Sequence, residues 1–89
     1  MKPITLPTPI KRTPGPEGED RDLKIVHLRE PKGGDLRGVE TVAILRMDYG
    51  TMRTLIPRIC SQLTANDLDA MDPKTLLAVQ QEVVGFFVD

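Results

Sequence analysis

The most clearly delimited segment of this sequence is DPKTLLAVQQEVVGFF, residues 72–87. It opens with an aspartate and a proline, the residue types that favour the N-cap and the first turn of a helix. Apolar residues then recur at helical spacing, so the segment predicts an amphipathic helix that begins after Asp72. The helix would carry two adjacent apolar lines, one through Leu76, Leu77, Gln80, Val83, Val84 and Phe87, and the other through Val79 and Phe86.

The paired lines have two interpretations. In the first, a C-terminal helix is packed on two sides and both lines belong to the core. In the second, one line is core, including Leu77, and the neighbouring line is exposed and binds another protein. The second interpretation gives a set of candidate protein-binding residues: Leu76, Val79, Val83, Phe86 and Phe87.

Two segments near the N-terminus have β character. Residues 4–6 continue weakly toward Ile10, and residues 23–29 are apolar on both faces. We expect them to form a long-looped β-hairpin within residues 1–29, with the first strand confined to an edge by its prolines. The loop, residues 13–22, is rich in proline, glycine and acidic residues and is therefore expected to be mobile.

The rest of the chain has helical patterns. Asp35 is placed to cap a helix over residues 36–47, which a turn at residues 48–51 would end. Apolar residues at 52–63 then follow one helical face. Pro57 lies inside that repeat, so we expect the helix to be kinked, or split with a new start near Ile56.

Thr64 and Asp67 resemble a capping box that opens a short helix over residues 65–70. The helical part of the chain would then span residues 35–88. The sequence therefore predicts an α+β fold in one domain, residues 1–89, in which the hairpin is followed by three to four short helices.

Composition gives little support for catalysis. The only histidine, His27, has no nucleophile or carboxylate at a catalytic spacing. One histidine and one cysteine, Cys60, are too few ligands for a structural zinc site. We therefore predict a protein that is not an enzyme and that has no catalytic residues, cofactor or metal.

Charge and hydropathy argue against nucleic acid and membranes as binding partners. The 12 basic and 13 acidic residues nearly balance, and an interpretation of residues 48–63 as a DNA-recognition helix leaves only Arg53 and Arg58 to reach a groove. No apolar segment is long enough for a signal peptide or a membrane span. With a single cysteine, the sequence predicts a cytoplasmic protein that binds neither nucleic acid nor membrane.

Several short motifs occur in a recognisable order. They are LREPKGGDLR at 28–37, LIPRI at 55–59, LT at 63–64 followed by Leu68, MDP at 71–73 and VVGFF at 83–87. The ordered set, which covers most of the chain from about Ile4 to Val88, resembles the tail assembly chaperones of Mu-like contractile-tailed phages.

The resemblance implies a phage or prophage protein that keeps the long, apolar tape-measure protein soluble and brings tail tube subunits to it. It also implies a longer, frameshifted form of the chain as a further partner. A second copy of the chain is another partner to consider, because the strand at 23–29 has an edge that can pair. The alternative is a small structural component of the particle, such as a tail completion or head-tail joining protein.

Overall fold

The computed structural model describes residues 1–18 and 21–88. Two N-terminal strands, β1 (Lys2–Ile10) and β2 (Leu23–Leu28), pair antiparallel. They are followed by a 3-10 helix, Gly33–Leu36, and by four α-helices: α1 (Thr41–Leu45), α2 (Tyr49–Ile59), α3 (Ala65–Ala70) and α4 (Pro73–Gly85). The predicted α+β fold, with a hairpin before the helices, is confirmed.

The hairpin has an irregular register. Pairing runs from Lys2 opposite Leu28 to Thr5 opposite Ile25, and then resumes with Ile10 opposite Leu23. Residues 6–9 of β1 therefore lie opposite a single residue of β2, and this bulge contains Pro7 and Pro9, which cannot donate to the ladder. The side chains that the hairpin buries are Ile4, Leu6, Val26 and Leu28.

The loop at residues 13–22 is described only in part, because Glu19 and Asp20 lie outside the described residues. Its first half contains a turn in which the Gly18 N–H donates to the Gly15 carbonyl at 2.9 Å. Gly18 has a φ of 78°, a conformation that favours glycine. At the base of the loop, the Arg12 N–H donates to the Asp22 carboxylate at 3.1 Å. The mobility of the loop stays a prediction.

A hydrophobic core joins the hairpin to the helices. Its fully buried members include Val26 and Leu28 from β2, and it draws on each α-helix with Ile44, Met52, Leu55, Ile56, Leu68, Val79 and Val83. The apolar positions of the repeat at residues 52–63 are all buried, as their spacing predicts.

The expected helix over residues 36–47 is wrong in its extent. The 3-10 helix and α1 replace it, and between them Gly38 has a φ of 75°. The Asp35 carboxylate, expected to cap that helix, instead accepts two hydrogen bonds from the Arg29 guanidinium, at 2.6 and 2.7 Å, and one from the Lys32 N–H at 2.9 Å. The Asp35 carboxylate thus caps the 3-10 helix from within its first turn, and the left-handed Gly38 separates that helix from α1.

Helix α2 also differs from its prediction. It runs without interruption through Pro57, so the expected split near Ile56 is wrong. Pro57 lies in the last turn, where a proline removes only one backbone donor. Residues 48–51 open this helix rather than end the previous one, because the Asp48 carboxylate accepts from the Thr51 N–H at 3.0 Å and caps the first turn.

Helices α3 and α4 begin at the predicted caps. The Asp67 N–H donates to the Thr64 hydroxyl at 3.2 Å, and the Thr64 N–H donates to the Asp67 carboxylate at 2.9 Å. At the start of α4, the Asp72 carboxylate accepts from the Thr75 hydroxyl at 2.6 Å and from its N–H at 3.3 Å. The same hydroxyl accepts from the Thr8 N–H at 3.1 Å, and this bond ties β1 to α4.

Candidate protein-binding surface

Helix α4 buries residues of both predicted apolar lines. Val79 and Val83 are 0% exposed, whereas Leu77 is 45% exposed. The interpretation that placed Val79 on an outer line and Leu77 on the core line is therefore wrong. Both lines contribute buried residues, as in the interpretation that packs α4 on two sides, and which residues of each line are covered depends on how β1 and α1 pack against α4.

The other three candidate residues, Leu76, Phe86 and Phe87, are partly buried and pack against the core. The Lys2 ammonium lies 5.7 Å from the centroid of the Phe86 ring and 2.6 Å from the Glu82 carboxylate. The N-terminus of β1 thus covers one side of Phe86. Binding of a partner through these three side chains stays a prediction.

Apolar side chains are also exposed on α1 and on α4. Val42 and Leu45 of α1 are 61% and 43% exposed. Leu77 and the half-buried Val84 lie on one side of α4, at i and i+7, and the 51% exposed Val88 follows shortly after the end of the helix. The two helices pack against each other. We call these five residues the α1–α4 surface.

Sequence reasoning missed Val42 and Leu45 as surface residues. The sequence predicted both to lie in one helix over residues 36–47. In the structure, α1 is a short separate helix that buries Ala43 and Ile44 instead. Gly38 is the signal that separates the two segments, because glycine favours a helix end.

The outer edge of β2 is occupied by other parts of the chain. The His27 N–H donates to the Gln62 side-chain oxygen at 2.8 Å, and the Gln62 side-chain nitrogen donates to the Ile25 carbonyl at 3.4 Å. The Arg29 N–H donates to the Ile59 carbonyl at 2.9 Å. A second copy therefore does not meet an open ladder on this edge.

Arg53 and Arg58, the cations considered for a DNA groove, are both engaged within the fold. Arg53 donates to both oxygens of Asp69, at 2.9 and 3.0 Å. The Tyr49 hydroxyl bonds to the same carboxylate. The Arg58 guanidinium donates to the backbone carbonyl of Asp35 at 2.8 Å. These bonds fasten α2 to α3 and to the 3-10 helix.

A pocket of about 350 Å³ opens between the end of β1, α3 and the start of α4. On its wall, Arg12 donates to both oxygens of Asp67, at 2.8 and 3.0 Å, and these bonds hold the pKa of that carboxyl below its usual range. Lys11 lies 3.4 Å from the Asp22 carboxylate, and Asp72 is bonded to Thr75. The charged groups of the pocket are therefore each paired with a partner from the chain.

The residues that would carry chemistry lie apart. His27 is exposed on β2, and Cys60 is buried, where burial raises the pKa of the thiol and disfavours its reactive thiolate. Within residues 1–18 and 21–88, no group of three or more His, Cys, Asp or Glu side chains is placed to hold a metal ion. In the same part of the chain, no helix has the length and apolar character needed to cross a membrane.

Comparison with known protein families gives a match over residues 4–88, nearly the whole chain, to the family described as "Phage tail assembly chaperone proteins, E, or 41 or 14". Neither the curated proteins nor the solved structures contain a match. The extent of the family match agrees with the motif order noted in the sequence, from the first strand to the Phe86–Phe87 pair. This chain therefore belongs to the family of phage tail assembly chaperones.

Proposed function

We propose that this chain is a non-enzymatic chaperone that binds the tape-measure protein and helps to recruit tail tube subunits during tail assembly. Membership of the chaperone family supports a role in assembly. The observation that carries the binding role is the α1–α4 surface, because its side chains are apolar and substantially exposed on two adjacent helices.

The proposed binding mode is a helix of the client laid against the α1–α4 surface. An amphipathic helix docks by inserting apolar side chains at helical spacing between those of the surface it covers. The partly exposed Leu76, Phe86 and Phe87 would contact the client at the border of this surface. Val79 and Val83 would act indirectly, by supporting α4 from the core.

The energetics suit a reversible complex. Covering the exposed half of one aliphatic side chain contributes on the order of 1 kcal/mol, and part of the sum is offset by the entropy lost on association. The five side chains of the α1–α4 surface would then supply about 5 kcal/mol in total, enough to contribute to a reversible complex but not to hold a client alone or permanently. Reversibility is what an assembly factor requires if it leaves the finished tail.

The test is co-purification of the tape-measure protein with surface variants. Val42→Ser combined with Leu77→Ser should weaken recovery of the tape-measure protein by roughly tenfold or more, because two exposed apolar contacts are lost. Ile25→Ser is the matched control, since Ile25 is 46% exposed but lies on the hairpin. Equal recovery with the double variant and the control would contradict the proposed binding surface.

A second measurement separates the chaperone from the alternative structural component. A chaperone leaves the particle, so mass spectrometry of purified virions should detect this chain far below the copy number of the tail tube protein. A fixed number of copies per virion would instead identify a tail completion or head-tail joining protein.

A further inference from the structure

The Gln62 side chain completes a rung of a β-ladder. Its amide nitrogen donates to the Ile25 carbonyl, and its amide oxygen accepts from the His27 N–H. A residue of a parallel strand makes the same two bonds on either side of one residue of its neighbour, here Val26. The side chain thus stands in for the backbone of a third strand at the outer edge of β2.

The backbone around Gln62 is fixed by contacts with the rest of the fold. The Gln62 backbone carbonyl accepts from the Arg12 guanidinium at 3.2 Å. Arg12 in turn forms the bidentate pair with Asp67, whose carboxylate caps α3. The neighbouring Leu63 is 2% exposed and anchors the segment in the core. Because its backbone is already fixed, only the rotamer entropy of the side chain is lost when it lies along β2.

The edge beneath Gln62 is self-complementary. The backbone groups of Ile25 and His27 point away from β1, since they bond to Gln62, and strand alternation gives Leu23 the same direction. A second copy aligned antiparallel about Ile25 would place Leu23 opposite His27 and Ile25 opposite itself. Each of these pairs could exchange both backbone hydrogen bonds, and the two hairpins would form one continuous four-stranded sheet.

We propose that Gln62 guards this edge: its side-chain amide occupies the ladder position that a second copy of the chain would otherwise use, and so keeps the chain from pairing with itself through β2. The His27 position illustrates the arrangement. By strand alternation the His27 N–H points away from β1, and the Gln62 oxygen accepts its hydrogen bond; the hairpin partner of His27 is Pro3, which has no N–H of its own to pair.

The experiment compares the self-association of Gln62→Ala with that of wild type by sedimentation equilibrium over a range of concentrations. Removing the amide should lower the dissociation constant of the dimer about tenfold or more, because outward backbone groups lose their internal partners and can bond to a second copy. Gln81→Ala, at an exposed glutamine of α4, is the matched control and should behave as wild type. Gln62→Ala that associates no more than this control would overturn the proposal.

A second variant locates the contact. Ile25→Lys added to Gln62→Ala should return the chain to the monomer, because the proposed register places two like charges opposite each other. A dimer that persists in this double variant would pair elsewhere and would overturn the proposal. Hydrogen exchange in wild type gives a check that does not depend on any variant: the His27 amide should be protected at every concentration, and rapid exchange there would show that the edge is not guarded.

Discussion

Val79→Ala and Leu77→Ala should have very different effects on the free energy of unfolding, although the two residues are only two positions apart in α4. Val79 is 0% exposed, so its replacement removes two buried methyl groups, each contributing about 0.8 kcal/mol, and leaves a small cavity. We expect a loss of about 2 to 3 kcal/mol. Leu77 is 45% exposed, and its replacement should cost about 1 kcal/mol or less.

Urea unfolding of both variants beside wild type measures this difference. The slope against urea should be unchanged, so that the midpoints report stability directly. A loss of 2 to 3 kcal/mol corresponds to a fall in melting temperature of roughly 10 to 20 °C for a domain of this size, whereas Leu77→Ala should shift it by only a few degrees. Equal losses, or a larger loss for Leu77→Ala, would refute the assignment of Val79 to the core.

Two further predictions concern pH and dynamics. Hydrogen bonds from Arg29 and from the Lys32 N–H lower the pKa of Asp35 to about 2, against about 4 in an unfolded chain. The unfolded state therefore binds more protons in this range, so the free energy of unfolding should fall as the pH drops from about 4 to about 2. In acid unfolding titrations, Asp35→Asn should flatten this dependence on pH. An unchanged slope would count against the ion pair. In amide relaxation measurements, residues 15–18 should be more mobile on the nanosecond scale than β2, and equal order parameters would mean that the loop is held against the domain.

The parts of the fold that could be predicted are those whose signals are local. Thr64 with Asp67, and Asp72 with Pro73, bring the capping group and the first turn together within a few residues, and both helices begin where expected. The prediction of one helix over residues 36–47 was wrong because its apparent cap, Asp35, binds Arg29 across a turn. A competing partner outside the helix is not visible in the periodicity of the helix itself.

The candidate surface was harder to predict for a geometrical reason. Periodicity places Val79 and Leu77 on different lines of α4, but both lines are apolar. Which residues of these lines face the core depends on the positions of β1 and α1, and these are set by long-range contacts such as the bond from the Thr8 N–H to Thr75. The family resemblance indicated the role of the chain without indicating which side chains remain exposed.

The two edges of the hairpin are closed in different ways, and this bears on where partners bind. Along β1, Pro3, Pro7 and Pro9 cannot donate, and the Thr8 N–H is bonded to Thr75. Along β2, Gln62 holds the ladder position. Strand addition is therefore disfavoured on both sides of the sheet. Apolar side chains on the helices are left as the means of association, and this argument favours the α1–α4 surface over the hairpin as the binding site for a client.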